Sequence, residues 1–248
     1  MSIRENIALI RERIEAAARR VNRNPEDVQL MAVSKTQPAD RIREAYEAGQ
    51  RLFGENRVQE FQTKHAELSA ASPTPASAKI CDVFDIDQAE FHLIGHLQSN
   101  KSAKAAEIFS AVDSVDSMYL ADRLNQSAEK LDKKLRLLIE INIGGEEAKT
   151  GFAPDAEELI QLLGRRKEMK HIEIRGLMAV PPFTDAPEGA RKYFRELRKL
   201  RDELAARMNM NLPELSMGMS HDYEVAVEEG STCVRIGTAI FGARDYSK

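Results

Sequence analysis

Lys35 is the first residue whose setting suggests chemistry. It directly follows the run Met31-Ala32-Val33-Ser34, so it projects from the end of an apolar strand candidate. Burial disfavours the charged form of a lysine, and a neutral amine can attack an aldehyde to form a Schiff base. The plainer alternative is a solvated loop lysine. Toward the other end, Ser216-Met217-Gly218-Met219-Ser220 leads into a helical pattern near His221, and Gly237-Thr238-Ala239 follows the last strand candidate. Glycine lets backbone N–H groups approach a ligand, and helix starts favour anions. Ser220 and Thr238 add hydroxyl donors, so the pair of loops suits a phosphate. The alternative is that Gly218 and Gly237 are simple turn glycines. Arg235 stands just before Ile236-Gly237. An inward arginine in a strand is costly unless it has a partner. That partner is either a carboxylate or a ring-nitrogen acceptor.

These residues need a frame that brings both ends of the chain together. Apolar runs at 28–33, 51–53, 91–94, 110–112, 135–143, 172–180, 215–217 and 233–236 read as strands. Helical patterns separate them: after Pro38, from Arg57, and at about 101–107, 117–131, 155–168, 187–208 and 221–229. Alternating strands and helices imply a parallel sheet with right-handed crossovers. Eight such units favour a closed (β/α)₈ TIM barrel, with an open doubly wound sheet as the alternative. Residues 3–21 place Ile3, Ile7, Ile10, Ile14 and Ala17 or Ala18 on one face, giving an extra N-terminal helix outside the eight units. In a barrel, chemistry sits beyond the strands' C-terminal ends. Those ends read Lys35, Glu55-Asn56, His96, Asp113, Asn142, Met178, residues 216–220 and residues 235–238.

Composition narrows the function classes. The chain has 248 residues, 36 basic and 40 acidic side chains, and a net charge of −4. An apolar share of 42% excludes a disordered chain, and the acidic balance excludes nucleic-acid binding by bulk charge. No stretch approaches the ~18 apolar residues of a membrane span. The N-terminus carries acids and an amphipathic period, unlike a signal or transit peptide. Two cysteines, Cys81 and Cys233, cannot make a disulfide framework or a four-cysteine zinc site. A reducing, cytoplasmic setting follows as the default. Residues 69–79, rich in small residues and proline, read as a surface loop rather than a linker, so residues 1–248 are expected to form one domain.

Several motifs fail on inspection. Residues 144–151 contain Lys149-Thr150, but Ile143 and Ala148 stand where a P-loop needs glycine, and Glu146 and Glu147 would repel phosphate. Asp222 replaces the second glycine of a nucleophile elbow, and no histidine follows His221 to complete a hydrolase triad. His92 and His96 flank a strand end rather than sharing a helix face, which disfavours a zinc site. Cys233 reads as a core thiol, and residues 195–201 as a solvated helix face.

The remaining residues form an ordered set. Val33-Ser34-Lys35-Thr36, Phe53-Gly54-Glu55-Asn56 and the run from His92 to Lys101 (HLIGHLQSNK) come first. Arg175-Gly176-Leu177-Met178, the run from Ser216 to Asp222 (SMGMSHD) and Arg235-Ile236-Gly237-Thr238 follow. This set resembles the pyridoxal-phosphate homeostasis protein family, whose fold is similar to the N-terminal barrel of alanine racemase. The resemblance spans nearly the whole chain, and IGHLQSNK and SMGMSHD are its most specific blocks. The 69–79 stretch and the acidic 82–87 look longer than the family's usual link.

The resemblance implies that Lys35 holds pyridoxal 5′-phosphate (PLP) as an internal aldimine. It implies that Met219, Ser220, Gly237 and Thr238 surround the phosphate, with Ser216 beside them. Arg235 would face the pyridine nitrogen, and Asn56, His96 and Met178 would line the ring. Guanidinium does not give up its proton, so the ring would be a weaker electron sink than one paired with aspartate. Two-base racemisation needs a second acid/base, which alanine racemase brings from a partner's C-terminal domain, and this chain ends soon after the eighth unit. The expected function is therefore a cytoplasmic, monomeric, non-catalytic PLP carrier in vitamin B6 homeostasis. PLP-dependent apoenzymes are candidate recipients, and neither nucleic acid nor membrane is expected as a partner. The alternatives are a weak amino-acid racemase using Lys35 as base, and a sugar-phosphate barrel with a lysine Schiff base.

Overall fold

A computed structural model describes residues 1–70, 84–146 and 148–242. Eight parallel strands close into a barrel in chain order: β1 (Gln29–Val33), β2 (Leu52–Glu55), β3 (Glu90–Leu93), β4 (Ala111–Val115), β5 (Leu135–Glu140), β6 (Ile172–Met178), β7 (Glu214–Met219) and β8 (Cys233–Ile236). Closure is direct: β1 pairs with β8 in the register Gln29↔Cys233 through Ala32↔Ile236. Several strands are buried along nearly their whole length. A sheet covered on both faces produces such continuous apolar runs, where a half-exposed sheet would alternate.

The outer layer consists of α2 (Ala39–Glu47), α3 (Val58–Ala70), α4 (Ser102–Ile108), α5 (Met118–Lys130), α6 (Glu157–Gly164), α7 (Arg191–Met208) and α8 (Tyr223–Glu228). Phe61 of α3 packs its ring against Phe91 and Phe109, with centroids 4.5 and 4.7 Å away. Phe53 stacks on Phe91 at 5.2 Å. This aromatic layer ties α3 to β2 and β3, the part of the barrel that borders Lys35. Helix α1 (Ile3–Arg20) is the expected extra element. Ser2 and Glu5 form a reciprocal capping box at its start, and Ile3, Ile7, Ile10, Ile14, Ala17 and Ala18 are buried against the barrel. A short turn of helix, α9 (Thr238–Phe241), follows β8.

Most boundaries shift by one or two residues from the sequence expectation, and three elements differ by more. The 110–112 run extends to Val115, which puts Asp113 inside β4 rather than at its end. The register against β5 shifts between Val112 and Val115. That irregularity lets polar residues continue a strand whose alternation they would otherwise break. The 135–143 run stops as a strand at Glu140; Ile141 forms one isolated bridge to Phe152, and the chain then turns at Ile143-Gly144. The 155–168 pattern divides into α6 and a 3₁₀ turn at Arg165–Lys167. The expected loop at 69–79 lies outside the described residues beyond Ala70, as do Asp82 and Val83; the rest of 82–87 leads into a 3₁₀ turn at Ile86–Gln88 capped by Asp85.

Candidate functional site

A cavity of about 410 Å³ opens at the C-terminal mouth of the barrel. Seven of the ten residues singled out by sequence line it: Lys35, Asn56, Met219, Ser220, Arg235, Gly237 and Thr238. They come from the loops after β1 and β2, from the end of β7 and the residue after it, and from β8 through the start of α9, so closure of the barrel brings the two ends of the chain together. Val33, Gln37, Ile94, Val180, His221 and Gly242 complete the lining without having been anticipated as site residues. Lys35 is the only lysine among them.

Lys35 is half-buried, and its Nζ donates to Asn56 Oδ1 at 3.5 Å. The backbone on both sides of it is fixed. Ser34 is fully buried; its N–H donates to the Gly54 carbonyl at 2.9 Å and its hydroxyl to Glu55 Oε1 at 2.7 Å. Thr36 has a positive φ of 63°, a sparsely populated conformation for a β-branched residue. Its N–H donates to Glu60 Oε1 at 2.5 Å. Behind this turn lies a group that the sequence reading missed. Lys64 Nζ donates to the Ser34 carbonyl at 2.9 Å and to Glu55 Oε1 at 2.9 Å, and pairs with Glu60 Oε1 at 2.6 Å. Burial pushes the Glu55 carboxyl up, and the Lys64 ammonium opposes that rise. A detectable signal existed: Val58, Phe61, Lys64 and Leu68 follow helical spacing, so the lysine occupies the apolar face of α3.

On the opposite side, the turn after β7 is set by backbone constraints. Gly218 has a φ of +94°, and an added Cβ would lie 2.5 Å from the Ala226 Cβ. Asp222 Oδ1 accepts from the Met219 N–H at 2.7 Å, which holds Met219 and Ser220 at the cavity edge. Thr238 opens α9, where the first amides have no intrahelical acceptor.

Arg235 is 4% exposed. Its Nη1 donates to Ser216 Oγ at 2.7 Å and its Nη2 to the Ala179 carbonyl at 2.9 Å. Among the described residues it forms no ion pair with a carboxylate. Of the two partners open to it on sequence grounds, the carboxylate is therefore absent from its contacts.

Three anticipated residues do not line the cavity. Ser216 is fully buried and accepts from Arg235, so it stands one layer behind the mouth. Met178 is fully buried at the end of β6, in register with Ser216. His96 is exposed and its Nδ1 lies 2.9 Å from Asp116 Oδ2. Of the other strand-end candidates, Asp113 is buried with its Oδ2 3.1 Å from His92 Nδ1. Burial opposes a charge on His92, but Asp113 and Glu90 outweigh it and push the imidazole up to about 9. His92 and His96 thus pair with different aspartates. Asn142 bonds the Glu146 carbonyl and amide and shapes its own turn. Cys233 is a buried core thiol, pushed up to about 12 by burial. Among the described residues no helix is long and apolar enough to cross a membrane.

Known proteins match this arrangement over its full extent. The family model described as alanine racemase, N-terminal domain, matches residues 5–245. The pyridoxal phosphate homeostasis protein of Aquifex aeolicus (strain VF5) is 43% identical, over 99% of this chain and 100% of its own. The structure of PipY from Synechococcus elongatus PCC7942, solved with PLP bound, superposes with a TM-score of 0.79 at 38% identity, covering 97% of this chain and 100% of that one. Alanine racemase of Clostridium difficile 630 superposes with a TM-score of 0.68 over 99% of this chain and 58% of its own; at 15% identity that likeness concerns the fold alone. The chain belongs to the pyridoxal phosphate homeostasis protein family, built on the barrel of the alanine racemase N-terminal domain.

Proposed function

We propose that this chain binds PLP in the mouth cavity, covalently through Lys35, and that it holds and releases the cofactor rather than catalysing a reaction on it. One observation carries the reading: a single cavity gathers one lysine, a buried arginine that pairs with no carboxylate among the described residues, and two hydroxyl-bearing loops. Each matches one part of the cofactor. Lys35 supplies the amine for the aldehyde. Ser220, Thr238 and the amides around Gly237 suit the phosphate, and a Cβ at Gly237 would stand close to the Val33 carbonyl oxygen, at 3.3 Å. Arg235 keeps N–H capacity for a neutral ring nitrogen. When bound, PLP supplies a reactive aldehyde on an electron-withdrawing ring. Arg235 limits the second property, because a guanidinium stays protonated and does not pass its proton to the ring.

The names of the relatives agree with a homeostatic role, and PipY supports PLP as the ligand. PLP-dependent apoenzymes are the recipients in this reading. The chain acts as a single cytoplasmic domain and as a monomer, with the apolar face of α1 covered by its own barrel.

The test is a visible spectrum followed by borohydride reduction and peptide mass mapping. The expected result is a yellow protein with a pyridoxyl group on Lys35, and a folded but colourless Lys35→Ala variant. A protein that stays colourless with added PLP would overturn the reading. Deuterium exchange at the Cα of amino acids above that of free PLP, lost in Lys35→Ala, would replace the carrier with a racemase-type enzyme.

A further inference from the structure

The turn that carries Lys35 is held by an ionic cluster that does not itself line the cavity. Glu55 has a fully buried side chain, Lys64 is 8% exposed and Glu60 is 26% exposed. Desolvating such groups is expensive, and an apolar replacement of similar volume is often as stable or more so. The cluster therefore needs a reason other than stability. Its contacts supply one, because they bracket a single residue. Ser34 is bonded through its carbonyl to Lys64 and through its hydroxyl to Glu55. Thr36 is bonded through its N–H to Glu60. Lys35 lies between them. Glu60 is the only member that reaches the far side of Lys35, and the residue it reaches has the unfavourable positive φ. Backbone strain of this kind persists only where the surroundings impose it. Glu60 Oε1 also accepts from Lys64, four residues along α3, so the helix, the ion pair and the strained turn share one oxygen.

We propose that Glu60 is a positioning residue for Lys35: by accepting from both the Thr36 amide and the Lys64 ammonium, it fixes the backbone from which the Lys35 amine reaches into the cavity. The inference rests on the reading of Lys35 as the PLP anchor. Glu60 is not among the residues that line the cavity. Its effect falls on how readily the lysine is captured, and the phosphate side of the site is untouched by it.

The experiment compares wild type, Glu60→Ala and Glu60→Gln after stripping PLP with hydroxylamine and dialysis. PLP is added to each, and the growth of visible absorbance is followed with borohydride quenching and mass mapping of Lys35. Glu60→Ala removes the acceptor for Thr36 but leaves Lys64 paired with Glu55, so the fold is retained, which thermal unfolding checks. Its capture rate on Lys35 is expected to fall roughly ten- to hundredfold, as for other small misplacements of a reacting group. Glu60→Gln keeps an oxygen at the Thr36 amide and is expected to recover most of that rate. Equal capture rates in wild type and Glu60→Ala would overturn the positioning role while leaving Lys35 as anchor. A loss in Glu60→Gln as deep as in Glu60→Ala would also overturn it, because the hydrogen bond to Thr36 would then not matter. Failure of wild type to label Lys35 at all would instead overturn the underlying reading.

Discussion

Two buried cations flank the mouth of this barrel, and they are satisfied in opposite ways. Lys64, beneath the turn after β1, is enclosed by the carboxylates of Glu55 and Glu60 and by a carbonyl. It does not line the cavity. Arg235, on β8, has a hydroxyl and a carbonyl as acceptors, forms no ion pair among the described residues, and does line the cavity. Burial pulls the Arg235 guanidinium down, yet an arginine remains protonated. A buried charge that is fully paired is part of the scaffold. One that is desolvated, incompletely paired and turned toward a cavity is held ready for a ligand. In the proposed reading, the comparison separates, within one site, the residue that shapes the Lys35 turn from the residue offered to the cofactor.

The largest effect expected from this contrast is on stability. Lys64→Met removes the only cation from a cluster holding two carboxylates, one of them fully buried. Breaking a buried pair from one side costs roughly 3–5 kcal/mol. Urea unfolding should show that loss. A cost below about 1 kcal/mol would mean that Glu55 relaxes to solvent and that the cluster is not a rigid wall.

Arg235→Met tests the other half. With no ion pair to break, the change in stability should stay within about 1.5 kcal/mol in either direction, since a desolvated charge is exchanged for an apolar side chain. The effect should appear in the ligand instead. Losing one hydrogen bond from a charged donor corresponds to about a tenfold weaker retention of PLP, together with a shifted visible band. An unchanged band and unchanged retention on dialysis would remove Arg235 from the ring contact and erase the contrast.

The same contrast explains what the sequence made legible. The place of Lys35 at the cavity could be read because an apolar run stops at a lysine, and a barrel puts such ends at one mouth. The Gly218 to Ser220 and Gly237-Thr238 loops could be read because both follow strand ends, where glycine amides and hydroxyls together suit an anion. β8 matched its expected bounds, 233–236, because it is apolar except for Arg235. Lys64 escaped because charge is ordinarily a sign of solvent, and only its spacing with Phe61 and Leu68 revealed a buried position. Asp113 was misplaced to a strand end because a polar residue looks like a boundary; inside β4 it is bonded to His92 instead. Ser216 and Met178, expected among the site residues, do not line the cavity, because sequence could not tell which layer each would occupy. Successive strand residues point to opposite faces, and a local register shift between Ser216 and Met219 alters that assignment.

The smallest effect concerns acid, and here the two sides of the cavity differ in sign. Burial works against the charge on Glu60, but Lys64 and the Thr36 amide outweigh it and hold the carboxyl below its ordinary range. A depressed carboxyl contributes stability that is present above its unfolded value, near 4.5, and is lost as pH falls through the lower folded one. On the other side, burial pushes Asp222 up, against the pull of the Met219 amide. Its contribution has the reverse sense: it is present below the unfolded value and lost as pH rises through the folded one. Acid therefore loosens the turn that carries Lys35 while favouring the protonated form of Asp222 beside Ser220. Glu60→Gln isolates the first contribution, because Asp222 titrates in both proteins. Between pH 6 and pH 3 the wild-type unfolding temperature should fall further than that of Glu60→Gln, by at most about 3 °C. The gap is narrowed by Glu55, whose own rise is partly due to Glu60 and is relieved in the variant. Parallel curves would show that the Glu60 carboxylate gains nothing from its place beneath Lys35, and the charge-held side of the site would reduce to the Lys64–Glu55 pair alone.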